Sequence, residues 1–315
     1  MRLFSTALRP QPIPLAQEHG NRPYSAGITL FARTLFNRRL AASGFLDDQN
    51  QITNPQEYIE AFLGRSELLD DKDEDWSESS QNMQLLKRFC SVETIFRAER
   101  LLGTPKFMPE IARKIHGALL LRKSYEELRG GTESEIYSGA TLMIRCGDAN
   151  PRRLIRIYNA LLLVLRGRAR RTTKRPFLTV KEQTRIIRRL STSALVRVQS
   201  EPQCGKELYD FLSVVGDFMR RTLHDVPLTT DQITSISIDN DITDRRWMLV
   251  QRAVELGLLY PNVGPQKRDE MPNREGTYHL AFILGSWYCS MLLAGLMGRS
   301  ARVLFAREPK PKAEG

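Results

Sequence analysis

Residues 151–189 contain thirteen Lys and Arg residues and a single acid, Glu182, which gives this stretch a charge of +12 in a chain whose net charge is +11. Neutralising phosphates is the main source of sequence-independent affinity for nucleic acid. The basic residues of this stretch that we predict to bind nucleic acid are Arg166, Arg168, Arg170, Arg171, Lys174, Arg175, Arg185, Arg188 and Arg189. Aromatic residues are scarce here, so duplex DNA is favoured over stacked single strands. A solvated linker, a contact with an anionic membrane surface and a dock for an acidic protein segment are the alternatives.

A second motif that is suited to bind phosphate begins at Asn150. Its side chain is suited to accept from the unpaired amides of a first helical turn, and Pro151 fits the first helical position. Arg152 and Arg153 then lie in the opening turn, beside backbone amides that attract anions. The motif predicts a phosphate contact, and the alternative is a well-capped helix whose arginines lie in solvent.

Helices are the main elements predicted to position these residues. Apolar spacing predicts helices over residues 26–41, 55–62, 83–102, 109–121, 138–146, 150–165, 181–190, 207–224 and 244–256. An extended piece is the alternative over 138–146. Strands are predicted over 233–238, 258–260, 277–283 and 302–306, with a polar loop over 263–276. The order in the second half is typical of a winged-helix module. Its candidate recognition helix opens with Arg245 and Arg246, which are predicted to reach DNA, although such modules also dock proteins.

Composition and motifs exclude several classes of protein. With 41% hydrophobic and 26% charged residues, the chain can bury a core. The four cysteines (Cys90, Cys146, Cys204 and Cys289) are far apart, which fits a reducing compartment and predicts a cytoplasmic location. The four histidines are scattered and predict no metal site. Residues 280–298 lack charge and have the length of a membrane span, but Gly285 and Ser286 favour two buried elements instead.

The segment from Cys146 to Arg156 (Cys-Gly-Asp-Ala-Asn-Pro-Arg-Arg-Leu-Ile-Arg) resembles the sensor-2 segment in the lid of AAA+ ATPases. The origin-recognition and replication-initiator-like branch is the most similar, and in that branch a winged-helix domain follows the lid. The strings over 245–259 and 276–280 are similar to the tail of its bacterial members, so the resemblance covers about residues 138–305. It implies that Arg152 contacts a nucleotide phosphate, with Arg153 second.

The chain departs from that family at the phosphate-binding loop, which needs the pattern G-x-x-x-x-G-K-[ST]. Its single Gly-Lys pair, Gly205-Lys206, is followed by Glu207, and Ser200 stands where the first glycine belongs. No apolar strand ends in an acid pair that could hold a metal ion. We therefore predict no ATP hydrolysis by this chain alone. ATP and Mg²⁺ would bind only with a partner that supplies the missing loop.

The predicted fold class is mainly α, with an AAA+ lid-like helical domain followed by a winged-helix α+β domain. The predicted parts are a remnant of a nucleotide-binding core with the first helix (1–45), the lid-like domain (46–165), a basic linker (166–180) and the winged-helix-like domain (181–315). The predicted function is a non-catalytic DNA-binding and nucleotide-sensing subunit. The alternatives are a scaffold subunit of a multi-protein ATPase machine and the remnant of a truncated ATPase.

Overall fold

The computed structural model describes most of the residues between 26 and 302. The described ranges are 26–43, 58–69, 75–129, 136–169, 177–231, 233–238, 242–261, 274, 276–285 and 299–302. The first 25 residues of the predicted nucleotide-binding-core remnant (1–45) and most of the predicted loop over 263–276 lie outside them.

Within these ranges the protein is mainly helical, as predicted. The helices are α1 (Ala26–Ala42), α2 (Tyr58–Leu63), α3 (Gln81–Phe89), α4 (Val92–Leu101), α5 (Arg113–Arg129), α6 (Ala140–Cys146), α7 (Pro151–Ala169), α8 (Val180–Gln199), α9 (Gly205–His224), α10 (Asp244–Glu255) and α11 (Phe282–Gly285). A π-helical segment, Met108–Ala112, leads directly into α5. The strands are β1 (Ile233–Ser237), β2 (Leu259–Pro261), β3 (Thr277–Leu280) and β4 (Arg299–Arg302).

The helix predicted over 83–102 is in fact two helices, α3 and α4. Cys90 is extended between them and forms a β-bridge with Leu228, which lies just beyond α9. Ser91 then starts α4, because its hydroxyl accepts a hydrogen bond from the backbone N–H of Thr94 at 3.3 Å. Apolar spacing continues through this break, so periodicity alone misses it.

The strands form one small sheet in the order β2-β3-β1-β4. β3 runs antiparallel to both β1 and β2, whereas β4 runs parallel to β1. α10 lies between β1 and β2 in the chain and packs against both α9 and β2. β4 ends at Arg302, where the predicted strand over 302–306 begins, and the rest of that prediction lies outside the described residues.

The buried side chains form two hydrophobic clusters. The smaller one joins α3 and α5, with Trp76 and Phe107 in edge-on contact at 5.6 Å between ring centroids. The larger one extends from α1 to α11 and includes Leu161 of α7, Ile187 of α8 and Tyr278 of β3. It contains residues from both sides of the predicted basic linker, so the two sides share packed side chains. The division into four parts stays a prediction.

The uncharged segment 280–298 begins as a buried element of this larger cluster. β3 ends at Leu280, and residues 282–285 form the single turn α11, so the strand predicted to reach residue 283 is shorter than expected. All four residues of α11 are buried. None of the helices in the described ranges is both long enough and apolar enough to cross a membrane.

Candidate nucleic-acid interface

The predicted start of α7 is confirmed. The side-chain oxygen of Asn150 accepts hydrogen bonds from the backbone N–H groups of Arg152 at 3.0 Å and of Arg153 at 3.2 Å. Pro151 is the first helical residue. The side chain of Arg152 is exposed, and no acid in the described ranges forms an ion pair with it. Its guanidinium therefore faces solvent beside the positive end of α7.

Arg153, the next residue, points into the protein. Its side chain is 14% exposed and forms an ion pair with Asp148, whose side chain is 2% exposed. The same guanidinium donates to the carbonyl of Gly257 at 3.0 Å and to the hydroxyl of Tyr260 at 3.4 Å. Arg153 thus connects the turn before α7 with the end of α10 and with β2.

Asp148 completes this connection, because its carboxylate also binds the start of α11. It accepts from the backbone N–H of Phe282 at 2.7 Å and from that of Ile283 at 3.3 Å. A carboxylate is well suited to this position, since the first amides of a helix have no partners within the helix. We call Asp148, Arg153 and Tyr260 the buried clamp.

The backbone that presents Asp148 is strained. Asp148 and Ala149 have φ angles of +47° and +54°, in the left-handed region that costs a non-glycine residue about 1–2 kcal/mol. Gly147 precedes them, and a side-chain carbon there would overlap Leu154 of α7. The close packing of α7 on this turn, together with the hydrogen bonds of Asp148, holds the backbone in place.

Burial dominates the electrostatics of the clamp. It raises the pKa of Asp148 to about 6, while the charge of Arg153 and the two amides of α11 act in the opposite direction. Burial also raises the pKa of Tyr260, and the neighbouring charge of Asp148 adds to the effect. Near neutral pH we therefore expect an ionised Asp148 beside a neutral Tyr260 hydroxyl.

The exposed face of α7 carries a stripe of side chains at alternating spacings of four and three residues. We call Arg152, Arg156, Asn159, Leu163 and Arg166 the α7 stripe, and all five are exposed. Arg39 of α1 donates to the side-chain oxygen of Asn159, which adds a further cation beside the stripe. In the described ranges no acid pairs with the three arginines of the stripe.

The remaining arginines of the predicted DNA-binding stretch differ in their surroundings. Arg168 binds Glu182 at 3.1 Å and the carbonyl of Phe177 at 3.0 Å, so an acid compensates its charge. Arg188 lies over the ring of Tyr137, whereas Arg185 and Arg189 are exposed on α8. Arg170, Arg171, Lys174 and Arg175 lie outside the described residues.

The arginines predicted at the start of α10 lie among acids. Arg245 forms two hydrogen bonds with Glu207 of α9, at 2.7 and 2.6 Å. Arg246 is half-buried, and its backbone N–H is capped by the hydroxyl of Thr243. Asp244, the first residue of α10, pairs with Arg274. The cations at the start of α10 thus have acids close by, whereas the arginines of the α7 stripe have no acid partner in the described ranges. The DNA-binding roles of Arg245 and Arg246 stay predictions.

Sequence reasoning missed Asp148 and Tyr260 as parts of this region. A signal for Asp148 was present, since an acid just before a helix that opens with two arginines is close enough in sequence to pair with one of them. Nothing in the sequence indicated the partners of Asp148 in α11, which lie 134 and 135 residues further along the chain.

The fold and the exposed arginines define a mainly helical protein with a small mixed sheet and a cationic helix face. A family model described as ORC-CDC6-like matches residues 16–288, and the chain belongs to that family. This confirms the predicted resemblance to origin-recognition and replication-initiator-like AAA+ proteins. No curated protein and no solved structure matches the chain.

Proposed function

We propose that this protein is a non-catalytic DNA-binding member of its family, and that the α7 stripe is its main phosphate-binding surface. The observation that carries the proposal is the stripe itself, whose three exposed arginines have no acid partner in the described ranges. From Arg152 to Arg166 the stripe extends about 21 Å at 1.5 Å per residue, enough to follow several phosphates along a duplex.

The exposed arginines of α8, Arg185 and Arg189, extend the proposed surface. We also propose that α9, β1, α10, β2 and β3 form a winged-helix-like unit. In support, these elements follow one another in that order, and β3 pairs antiparallel with both other strands. In this unit the ion pair between Arg245 and Glu207 reduces the cationic charge of α10. We therefore rank α7 above α10 as the DNA contact.

The salt dependence of DNA binding tests the proposal. Fluorescence anisotropy with a labelled duplex would be measured across a salt series for the natural chain and for a triple variant with Arg152→Gln, Arg156→Gln and Arg166→Gln. Each lost phosphate contact reduces the magnitude of the slope of log K against log salt by about 0.9. We therefore expect the slope of the triple variant to be smaller in magnitude by about 2 to 3.

A charge-matched control carries Arg100→Gln, Lys106→Gln and Arg113→Gln, three exposed cations near the smaller cluster. We expect it to keep the natural slope, since its net charge falls equally but at a remote place. Equal slopes for the natural chain and the stripe variant, or no binding at low salt, would refute the proposal. A loss that requires Arg245→Gln instead would move the interface to α10.

We further propose that nucleotide sensing, if a partner supplies a phosphate loop, is carried out by Arg152. In support, Arg152 is exposed at the start of α7, whereas Arg153 is held in the buried clamp. The purified chain should not hydrolyse ATP in the presence of Mg²⁺, because the sequence lacks the loop that binds the phosphates. Release of inorganic phosphate measures this. ATP turnover by the purified chain would contradict the proposal that the chain is non-catalytic.

We also propose a cytoplasmic location, in line with the free thiols of Cys90, Cys146 and Cys204.

One observation favours the scaffold function as a second candidate. Leu163 lies in the middle of the α7 stripe and is 70% exposed, and an apolar side chain between arginines suits an acidic, partly apolar protein segment. A pull-down at moderate salt with nuclease present separates the two functions. A partner retained after nuclease treatment and lost with Leu163→Ser would support the scaffold, because DNA binding depends on the arginines.

A further inference from the structure

A cavity of about 230 Å³ lies where α7 and α8 meet the end of α10 and α11. Its floor is apolar and is built from side chains of all these regions: Ile157, Leu190, Ala194, Val198, Leu258 and Ile283. At about 30 Å³ per water molecule in the liquid, this space holds a ring-sized group and is smaller than the pockets of drug-sized ligands.

Two arginines line the mouth of the cavity, Arg156 on α7 and Arg197 on α8, and both are exposed. Neither forms an ion pair with an acid of the described ranges, and Arg197 uses only its Nε, to bind the carbonyl of Ser193 at 3.2 Å. Glu201 also lines the cavity, but it binds Arg252 at 2.5 Å. Within the described part of the chain, the mouth therefore presents two guanidinium groups that form no ion pair, and the lining acid Glu201 is paired with Arg252.

The buried clamp connects two of the regions that line the cavity. Arg153 is one of the lining residues, and it donates to the carbonyl of Gly257, which lies between the lining residues Leu256 and Leu258. The ion pair with Asp148 compensates its charge. A site whose walls are already connected loses little conformational freedom on binding, which favours affinity for a small ligand.

We propose that this cavity binds a small organic anion, with a ring-sized apolar group on its floor and one phosphate or carboxylate on Arg156 and Arg197. Placing a ring on the apolar floor removes apolar surface from water, which favours binding. The two guanidinium groups are suited to donate paired hydrogen bonds to the oxygens of an anion. Arg156 is shared with the α7 stripe, whereas Arg197 and the apolar floor lie outside it, so variants at Arg197 and Ala194 test this inference separately from the proposed DNA binding.

Calorimetric titration with four probes tests the proposal. The probes 1-naphthyl phosphate and 1-naphthoate combine a ring with each anion, 1-naphthol has the ring without the anion, and inorganic phosphate has the anion alone. We expect saturable 1:1 binding of at least one naphthyl anion, about ten-fold or more tighter than either single-feature probe. The preferred anion identifies the natural ligand as a phosphate or a carboxylate.

Three variants locate the binding. Arg156→Gln and Arg197→Gln should each lower the affinity for the naphthyl anion by about ten-fold or more, because each removes a charged hydrogen-bond donor. Ala194→Phe should abolish binding by filling the floor. Arg221→Gln, an exposed change on α9 of equal charge, should leave the affinity unchanged. No saturable binding up to millimolar concentrations, equal affinity for 1-naphthol, or unaltered binding in both arginine variants would overturn the proposal.

Discussion

The buried carboxyl of Asp148 makes the stability of the protein depend on pH in an unusual direction. Its pKa rises from an ordinary value of 3.8 to about 6 in the folded chain, mainly because burial disfavours the charged form. The folded chain therefore binds a proton more tightly than the unfolded chain does. Stability should rise as the pH falls through 6, whereas carboxylates of lowered pKa make a protein less stable in acid.

The magnitude follows from the two pKa values. They correspond to a proton affinity more than a hundred-fold higher in the folded chain, or about 3 kcal/mol once the pH is below 3.8. Between pH 7.5 and pH 5 this group alone contributes about 1 kcal/mol by the same linkage. Glu110 and Glu207, whose pKa values are lowered by hydrogen bonds from arginines, lose their stabilising charge mostly below this window.

The assay is urea unfolding of the natural chain and of Asp148→Asn at several pH values between 5 and 7.5. Asparagine does not titrate, and the histidines are common to both chains, so the difference between the two free energies of unfolding isolates Asp148. We expect this difference to change by about 1 kcal/mol in favour of the natural chain as the pH falls. A flat difference would refute the reasoning. A change of opposite sign would show that the ion pair with Arg153 outweighs burial.

Three further changes test the packing that positions the site. Arg122 is 8% exposed and donates to the carbonyls of Phe89 at 3.2 Å and Val226 at 2.8 Å, so Arg122→Met should lower the free energy of unfolding by about 2–4 kcal/mol, and retained stability would contradict that role. Gly139 has a φ of +95° and closely approaches the backbone of Ser66, so Gly139→Ala should cost at least about 2 kcal/mol in the same urea titration. Gly167 lies in α7 with open space around it, and Gly167→Ala should instead raise the melting temperature through about 0.5–1 kcal/mol of helix propensity.

Local features of the sequence predict the helices and the caps that position the site. Asn150 and Pro151 fix the start of α7 because their effect needs only the next few residues, and Gly257 ends α10 with a φ of +65° for the same reason. The buried clamp could not be predicted in this way. Whether Arg153 faces solvent or Gly257 depends on packing between segments about a hundred residues apart, and neither capping nor periodicity contains that information.

The distribution of acids along the chain explains why the exposed arginines of α7 and α10 differ. Glu201, Glu207 and Asp244 lie within or close to α9 and α10, so the cations of that region find acids across short distances. Between residues 151 and 181 there is no acid, and Glu182 is held by Thr179 and Arg168 at the start of α8. An arginine on the outer face of α7 could be neutralised only by an acid brought from elsewhere in the fold. The described residues bring none to the three arginines of the α7 stripe, so the segregation of charge in the sequence becomes a cationic surface in space.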